Sequence, residues 1–244
     1  MTSKPSATIS LVEAYSQLEP EYLLICTYTL SLGYVEQKFL NTFKEKHNSK
    51  ILLVTSELGI SQSFDDSFAV RGAGTNYLVA NINDSPYAFH PKVMLAIDKK
   101  QGLILFVSGC NFTYTGLSLN LDAVDFIKLS DASLEIIEEL KYFLTGLEML
   151  LETNEQKKIL FAIKKRLPEG NGENKQSLFF HNFNRSIFDQ IKSVVQKEIV
   201  QLHVISPYYD NNMHALKVLM ASFGNPATDI MCNMGDAHVH LEAL

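Results

Sequence analysis

The chain has 244 residues, of which 46% are hydrophobic and 20% are charged, enough apolar residues to bury a core in one large domain or in two. Its net charge of -6 excludes a basic surface over the whole molecule, so binding of nucleic acid would need a local positive patch. The sequence lacks the run of roughly 18 to 20 apolar residues that a membrane helix needs, and its first ten residues lack the apolar middle of a signal peptide. The default expectation is a cytoplasmic protein without a membrane partner.

The cysteines are Cys26, Cys110 and Cys232. They are far apart, with neither a CxxC spacing nor a nearby histidine pair, so the sequence supports neither a disulfide framework nor a zinc site. We therefore expect buried thiols, no bound metal and no cofactor.

A strand, a helix and a second strand are predicted near the start of the chain. Residues 21–32 are apolar and rich in aromatic and β-branched types, and residues 50–59 have the same character. Between them, apolar side chains recur at helical spacing from Val35 to Phe43. This βαβ pattern predicts a parallel pair of strands in a sheet covered by helices.

The apolar stretch YAFHPKVMLAID, at 87–98, carries His90 and Lys92 at its head. Because alternate residues of a strand share a face, these two side chains are predicted to point the same way as Met94, at positions about 6 to 7 Å apart. A core strand gains nothing from two such groups on one face. An anion would explain them.

The turn signal DKKQG and a second apolar strand, GLILFVSG, follow this stretch, so the two strands are predicted to pair antiparallel. A four-residue loop after Asp98 would place Lys92 opposite Gly109 and His90 opposite Asn111. Gly109 would leave room for a ligand near the backbone. An imidazole, an ammonium and a carboxamide suit phosphoryl transfer, since the imidazole can attack phosphorus while the other groups stabilise charge.

The rest of the chain is predicted to contain two amphipathic helices, at 132–152 and 155–167, and then a polar linker. The βαβ pattern recurs at 198–234 with similar spacing, which indicates a duplicated module whose second copy is only begun by Leu244. The predicted organisation is a first domain at 1–167, a linker at 168–177 and the start of a second, similar module at 178–244.

The segment HPKVMLAID, followed by SGCNFTYTGLSLNLD, resembles the phospholipase D superfamily over Phe89 to Asp125. In that family a strand bearing His-x-Lys is followed by a Gly/Ser-rich strand end, an Asn, a Gly-Leu step and an Asn-x-acid pair. The resemblance implies an α/β fold, a mixed β-sheet flanked by helices. It also implies a phosphodiesterase of phospholipids or nucleic acids, in which two lobes or two subunits each contribute a histidine to one site.

The resemblance also implies roles for particular residues. His90 matches the nucleophile that forms a phosphohistidine, and Lys92 and Asn111 match the phosphate-binding pair. Asp122 falls where many members have a glutamate that orients the histidine, although its side chain is shorter.

Two positions depart from the family pattern. The family's structural aspartate would fall at Ile97, and Asp98 comes one residue late. The serine expected two residues before the asparagine is Gly109, with Ser108 displaced by one, so Ser108 and Gly109 together are the candidates for the remaining phosphate contacts.

The sequence contains no second His-x-Lys with a following Asn-rich strand. By extension of the repeat, the second copy would lie about 70 residues beyond Glu198, past the last residue given. The missing acid for the leaving group would then come from a longer polypeptide or from a second chain. A separate basic helix is either a solvated face or a binding surface for backbone phosphates; its charged residues are Lys157, Lys158, Lys164, Lys165 and Arg166.

The sequence favours a metal-independent nuclease that acts on DNA rather than RNA through a phosphohistidine, as a homodimer or with a further phospholipase D-like segment. A lipase would need an exposed apolar or amphipathic surface to dock on a membrane, and the sequence does not reveal one. The alternative is a catalytically weak or inactive phospholipase D-like module for nucleic-acid binding or dimerisation within a larger DNA-processing or restriction/defence protein.

Overall fold

The structure is a computed structural model. It describes residues 11–42, 49–61, 63, 70–83, 88–119, 124–170, 177–195, 197–205, 210 and 212–231. Contacts along the chain divide it into two units, Met1–Phe179 and Phe180–Leu244. The domain limits inferred from the sequence, 1–167 and 178–244 with a linker between them, stay a prediction.

In the described residues of the first unit, six strands form one sheet. These are β1 (Pro20–Thr27), β2 (Lys50–Ser56), β3 (Leu78–Ile82), β4 (Val93–Asp98), β5 (Gly102–Ser108) and β6 (Val124–Lys128). They lie in the order β3-β2-β1-β4-β5-β6, with β1, β2 and β3 mutually parallel and β4, β5 and β6 joined by antiparallel pairs. This mixed α/β sheet flanked by helices confirms the predicted fold class.

Helices cover both faces of the sheet. The helices of this unit are α1 (Leu11–Ser16), α2 (Leu32–Tyr34), α3 (Glu57–Ser61), α4 (Tyr114–Ser118), α5 (Leu134–Leu150) and α6 (Asn154–Lys164). Beyond α2 the chain continues as a π-helical stretch, Val35–Phe39, and a 3-10 turn, Leu40–Thr42. The predicted amphipathic helices at 132–152 and 155–167 are thus confirmed as α5 and α6. Each begins at a hydroxyl cap, Ser133 and Thr153, as helix N-termini favour.

Strand β1 is buried from Leu23 to Thr27 because it has neighbours on both edges and helices on both faces. Leu23 and Ile25 belong to the core beneath α1, whereas Leu24 and Cys26 belong to the core beneath α5 and α6. Such two-sided burial explains why the strand reads as a continuous apolar run rather than an alternating one. The parallel register of β1 and β2, from Tyr22 opposite Lys50 to Thr27 opposite Thr55, confirms the first predicted βαβ unit.

The predicted buried thiols are confirmed at two positions. Cys26 and Cys110 are both buried, and burial raises the pKa of the Cys26 thiol. Cys232 lies outside the described residues.

The antiparallel pairing of β4 and β5 is confirmed, but its predicted register is wrong by one residue. Asp98 pairs with Gly102, because its carboxylate accepts hydrogen bonds from the N–H groups of Lys100 (2.9 Å) and Gln101 (2.8 Å) and closes a three-residue turn. Gly102 has φ +78°, a conformation that favours glycine. The shift puts Ser108, not Gly109, beside Lys92, and the N–H of Ser108 donates to the Lys92 carbonyl (3.1 Å). By the same shift, Asn111 is not the residue opposite His90.

A carboxylate ties the helical stretch after α2 to the segment before β3. Glu36 accepts hydrogen bonds from the N–H groups of Arg71 (2.9 Å) and Gly72 (2.9 Å) and from the hydroxyl of Tyr77 (2.8 Å). Partial burial alone would raise the pKa of Glu36, but the N–H of Gly72, the hydroxyl of Tyr77 and the N–H of Arg71 together lower it below its ordinary value. Burial and the neighbouring carboxylate raise the pKa of Tyr77.

This lowered pKa makes the contribution of Glu36 to stability depend on pH. The contribution is complete above the unfolded-state pKa, about 4.3, and is lost as pH falls through the lower folded-state pKa. We therefore expect Glu36→Gln to lower the Tm at pH 7, by a margin that shrinks when both proteins are melted at a pH below about 4. The exposed Glu152→Gln is the matched control. A difference between wild type and Glu36→Gln that stays constant from neutral to acid pH would contradict the assignment.

The second unit contains a smaller pair of strands. Strand β7 (Gln201–Ile205) pairs parallel with β8 (Ala227–Met231), and helix α8 (His214–Ser222) connects them. An earlier helix, α7 (Ile187–Val194), precedes β7. The second predicted βαβ pattern is therefore present; that it begins a second phospholipase D-like module stays a prediction.

Candidate functional site

The candidate site lies where β1 ends and β4 begins. In the two ladders Cys26 pairs with Val93, and Val93 pairs with Val107. Continuing both ladders by one residue places Lys92 between Thr27 and Ser108. Alternation along the strands turns all three toward the same side of the sheet, the side of the core that contains Met94 and Phe106.

The His90 and Lys92 side chains are in contact. The ammonium Nζ of Lys92 lies 3.0 Å from Nδ1 and 3.3 Å from Nε2 of His90. A lysine ammonium can only donate, so a hydrogen bond between the two requires a lone pair on a ring nitrogen of His90 as its acceptor. His90 is exposed and Lys92 is half-buried, which leaves the pair accessible from solvent. The two side chains are therefore closer to each other than the separation of about 6 to 7 Å between alternate positions of a strand.

The ring of Tyr28 packs against His90. The two ring centroids are 4.4 Å apart, and the ring planes are tilted by 42°. The backbone of Tyr28 is held firmly, since its carbonyl oxygen accepts hydrogen bonds from Thr55 (2.9 Å) and Ser56 (3.1 Å) at the end of β2. A Cβ on Gly59 would overlap this carbonyl oxygen, so the close approach requires glycine there.

Asn111 reaches the same region from the chain that follows β5. Its carboxamide oxygen accepts a hydrogen bond from the N–H of Thr29 (3.3 Å) and lies 3.4 Å from the hydroxyl of Thr27. The next N–H, that of Phe112, donates to Thr27 (3.1 Å). The structure therefore gathers His90, Lys92 and Asn111 around residues 27–29, although not through the strand register that the sequence predicted.

Three of the predicted site residues remain, namely Ser108, Gly109 and Asp122. The hydroxyl of Ser108 lies 3.2 Å from the sulfur of Cys110, on the face that Lys92 shares. Gly109 is exposed just beyond the end of β5. Asp122 lies outside the described residues. The assignment of Ser108 and Gly109 as phosphate contacts, and of Asp122 as the residue that orients His90, stays a prediction.

The basic residues of α6 and its C-terminal end are not part of this site. The guanidinium of Arg166 pairs with Glu21 (2.8 Å) and lies 4.7 Å from the ring centroid of Tyr22, so it sits at the start of β1. The site lies past the other end of that strand, about 20 Å away at the rise of an extended chain. Lys164, next to Lys165, pairs with Glu148 (2.7 Å). Binding of a nucleic-acid backbone by Lys164, Lys165 and Arg166 stays a separate prediction.

Sequence reasoning missed Thr27 and Tyr28. The sequence signal for these two residues was weak. They are polar residues at the end of a buried strand, in CTYT, and such strand ends often line sites in α/β sheets. Within the described residues there is no group of three or more His, Cys, Asp and Glu side chains that could hold a metal ion. Over the same part of the chain, each helix is too short or too polar to cross a bilayer.

Comparison with solved structures identifies the fold. The sequence matches no protein-family model, and no curated protein matches it in sequence. Two mutant forms of yeast tyrosyl-DNA phosphodiesterase are similar in structure. One is 9% identical with a TM-score of 0.55 over 92% of this chain and 59% of the yeast chain. The other is 14% identical with a TM-score of 0.54 over 83% of this chain and 49% of the yeast chain.

Nuc of Salmonella typhimurium, described as a phospholipase D family member, is 13% identical over 66% of this chain and 86% of its own. Its TM-score is only 0.37. The chain spans between about two fifths and three fifths of the length of the yeast enzymes that it matches. At these identities the similarity concerns the fold, and it agrees with a central mixed sheet flanked by helices. The chain shares its fold with these yeast tyrosyl-DNA phosphodiesterases.

Proposed function

We propose that the chain is a phosphodiesterase that acts on nucleic acid, with His90 as its nucleophile. The observation that carries the proposal is the contact of His90 with Lys92 (3.0 Å) at the same end of the sheet as Asn111. A neutral imidazole, an ammonium and a carboxamide close to one another can attack and hold a phosphate group.

In the proposed reaction a ring nitrogen of His90 attacks phosphorus. A nitrogen–phosphorus bond forms, and the bond from phosphorus to the leaving oxygen breaks. Lys92 and the NH2 group of Asn111 donate to the non-bridging oxygens, where negative charge is concentrated in the transition state. Water then attacks phosphorus and the nitrogen–phosphorus bond breaks, which releases the phosphate monoester and restores the imidazole of His90; the proton of the water passes to the group that protonated the leaving oxygen. Asp122 is the proposed partner that orients His90.

The leaving oxygen needs a proton, and we propose that a second histidine supplies it. That histidine belongs to a second copy of this chain in a homodimer or to a further phospholipase D-like segment. The proposed mechanism uses no metal and no cofactor.

Nucleic acid is the proposed substrate class, with DNA favoured over RNA. Support comes from the two yeast relatives with TM-scores above 0.5, whose names state that they act on a tyrosyl-DNA bond. Because the chain spans only part of those enzymes, a whole-protein activity is not transferred from them. A cytoplasmic location and the absence of a membrane partner belong to the same proposal.

Cleavage of labelled single- and double-stranded DNA in EDTA tests this function. We expect cleavage by the wild type, and cleavage at least about 1,000-fold slower by His90→Ala, because the variant lacks the nucleophile. His214→Ala, which changes an exposed histidine on α8, is the matched control. The solution mass is measured in parallel.

Equal cleavage by wild type and His90→Ala, or no cleavage by a dimeric wild type, would overturn the proposal. Salt-sensitive DNA binding that survives His90→Ala, without cleavage, would instead support the alternative of a non-enzymatic binding module. In that case neutralising Lys164, Lys165 and Arg166 should weaken binding.

A further inference from the structure

Thr27, a buried threonine at the end of β1, lies beside Asn111 and has no part in the proposed reaction. We propose that Thr27 is a positioning residue, which fixes the Asn111 carboxamide with its NH2 group turned toward the bound phosphate. This inference rests on the proposed function, because it concerns the same phosphate site.

The orientation of the carboxamide follows from its neighbour. The N–H of Thr29 is a backbone donor, so only the oxygen of the Asn111 carboxamide can face it, and the two atoms are 3.3 Å apart. The NH2 group, on the other arm of the same planar group, then points away from Thr29. Asn111 is thereby set as a donor, which is the polarity that an anion requires.

The Thr27 hydroxyl forms hydrogen bonds with both chain segments that set this orientation, one at Thr29 and the other at Phe112. It is fully buried and donates to the carbonyl oxygen of Thr29 (2.9 Å) while accepting from the N–H of Phe112 (3.1 Å). One hydroxyl therefore links the residue that orients the carboxamide to the residue that follows Asn111. Its oxygen also lies 3.4 Å from the carboxamide oxygen.

The chain beyond Asn111 is anchored independently of its side chain. Phe112 forms an isolated parallel bridge with Leu30, and its carbonyl oxygen accepts from the N–H of Ser31 (3.0 Å). A change at Thr27 should therefore loosen the carboxamide more than the fold. Since the strand ladder places Lys92 beside Thr27, the ammonium and the NH2 group can act on one phosphate.

The test compares Thr27→Val, which removes the hydroxyl at nearly constant shape, with Thr27→Ser, which keeps it. Ser49→Ala is the control, because it removes another buried hydroxyl whose hydrogen bond to the Pro20 carbonyl (2.6 Å) lies at the opposite end of β1. The probe is inorganic phosphate, titrated into the full chain while the side-chain amide signals of Asn111 are followed by nuclear magnetic resonance. Thermal melting verifies that each variant is folded.

We expect phosphate to shift the Asn111 amide signals in the wild type, Thr27→Ser and Ser49→Ala, and to bind Thr27→Val at least about tenfold more weakly, since a hydrogen bond to a charged group is at stake. If Thr27→Val does not fold, Thr27→Cys replaces it, because a thiol is a weak donor and acceptor. Wild-type affinity in the folded variant, or an equal loss in Thr27→Ser, would overturn the inference. So would the absence of any shift in the wild type.

Failure of the proposed function would look different. A dimeric wild type that binds phosphate at Asn111 but does not cleave DNA would overturn the nuclease proposal and leave the role of Thr27 in place. If the wild type cleaves DNA but Thr27→Val binds phosphate as tightly as the wild type does, the role of Thr27 is overturned and the nuclease proposal stands.

Discussion

Replacement of His90 by alanine should abolish the release of p-nitrophenolate from bis(p-nitrophenyl) phosphate, slowing it at least about 1,000-fold. This ester isolates one half of the proposed reaction. p-Nitrophenolate is a stable anion near neutral pH, so it can leave without the proton that the second histidine is proposed to supply. If a ring nitrogen of His90 attacks phosphorus, the nucleophile can be detected even in a single copy of the chain.

Release is followed by the absorbance of p-nitrophenolate in EDTA, under conditions in which a first turnover can be seen. The wild type should give a burst of at most one equivalent per chain and a phosphorylated histidine that is stable in alkali and labile in acid. His214→Ala should behave as the wild type does. A burst that persists in His90→Ala, or no release by the wild type, would remove His90 as the nucleophile regardless of oligomeric state.

Replacement of Gly116 by alanine should destabilise the first unit by about 2 to 3 kcal/mol. A Cβ at this position would overlap the carbonyl oxygen of Asn111 and come within 3.1 Å of its nitrogen. Because these are backbone atoms, no side-chain rotation relieves the overlap, and the turn between Asn111 and α4 must shift. The turn is otherwise well fixed, since the N–H of Gly116 donates to Thr113 (3.1 Å).

Urea denaturation of Gly116→Ala and wild type measures the expected loss, with Ser118→Ala on the same helix as control. Ser118 is exposed, and loss of its hydrogen bond with the Tyr34 hydroxyl (2.6 Å) should cost about 1 kcal/mol at most. Phosphate binding at Asn111 should weaken in the folded fraction of Gly116→Ala. An unfolding midpoint equal to that of the wild type would show that the turn tolerates a Cβ and that the packing argument is wrong.

The sheet could be predicted from the sequence because apolar patterns report burial directly. Val93 and Leu95 lie in one core while Met94 and Ala96 lie in the other, as alternation along a strand requires. The hairpin register could not be predicted in the same way. It depends on whether Asp98 closes a turn of three or four residues, and both lengths suit the same apolar pattern.

The motif residues of the site could be predicted, but their supports could not. His90, Lys92 and Asn111 are near one another in sequence, whereas Thr27 and Tyr28 come from a strand more than 60 residues earlier. The ion pairs of the basic helix were equally hidden, because Glu21 is 145 residues from Arg166 along the chain. The number of basic residues in a segment does not show where on the surface they lie or which carboxylates pair with them.

The position of β1 in the middle of the sheet has a consequence for how the protein folds. This strand precedes β2 and β4 in the chain, so one of its edges is without its native neighbour until β4 has been synthesised. The bond between Thr27 and Phe112 closes a loop of 85 residues, and long-range contacts of this kind form slowly because ordering such a loop costs entropy. We expect the end of the sheet that contains Thr27 and Asn111 to be among the last parts of the first unit to become ordered, after its hairpin and helices.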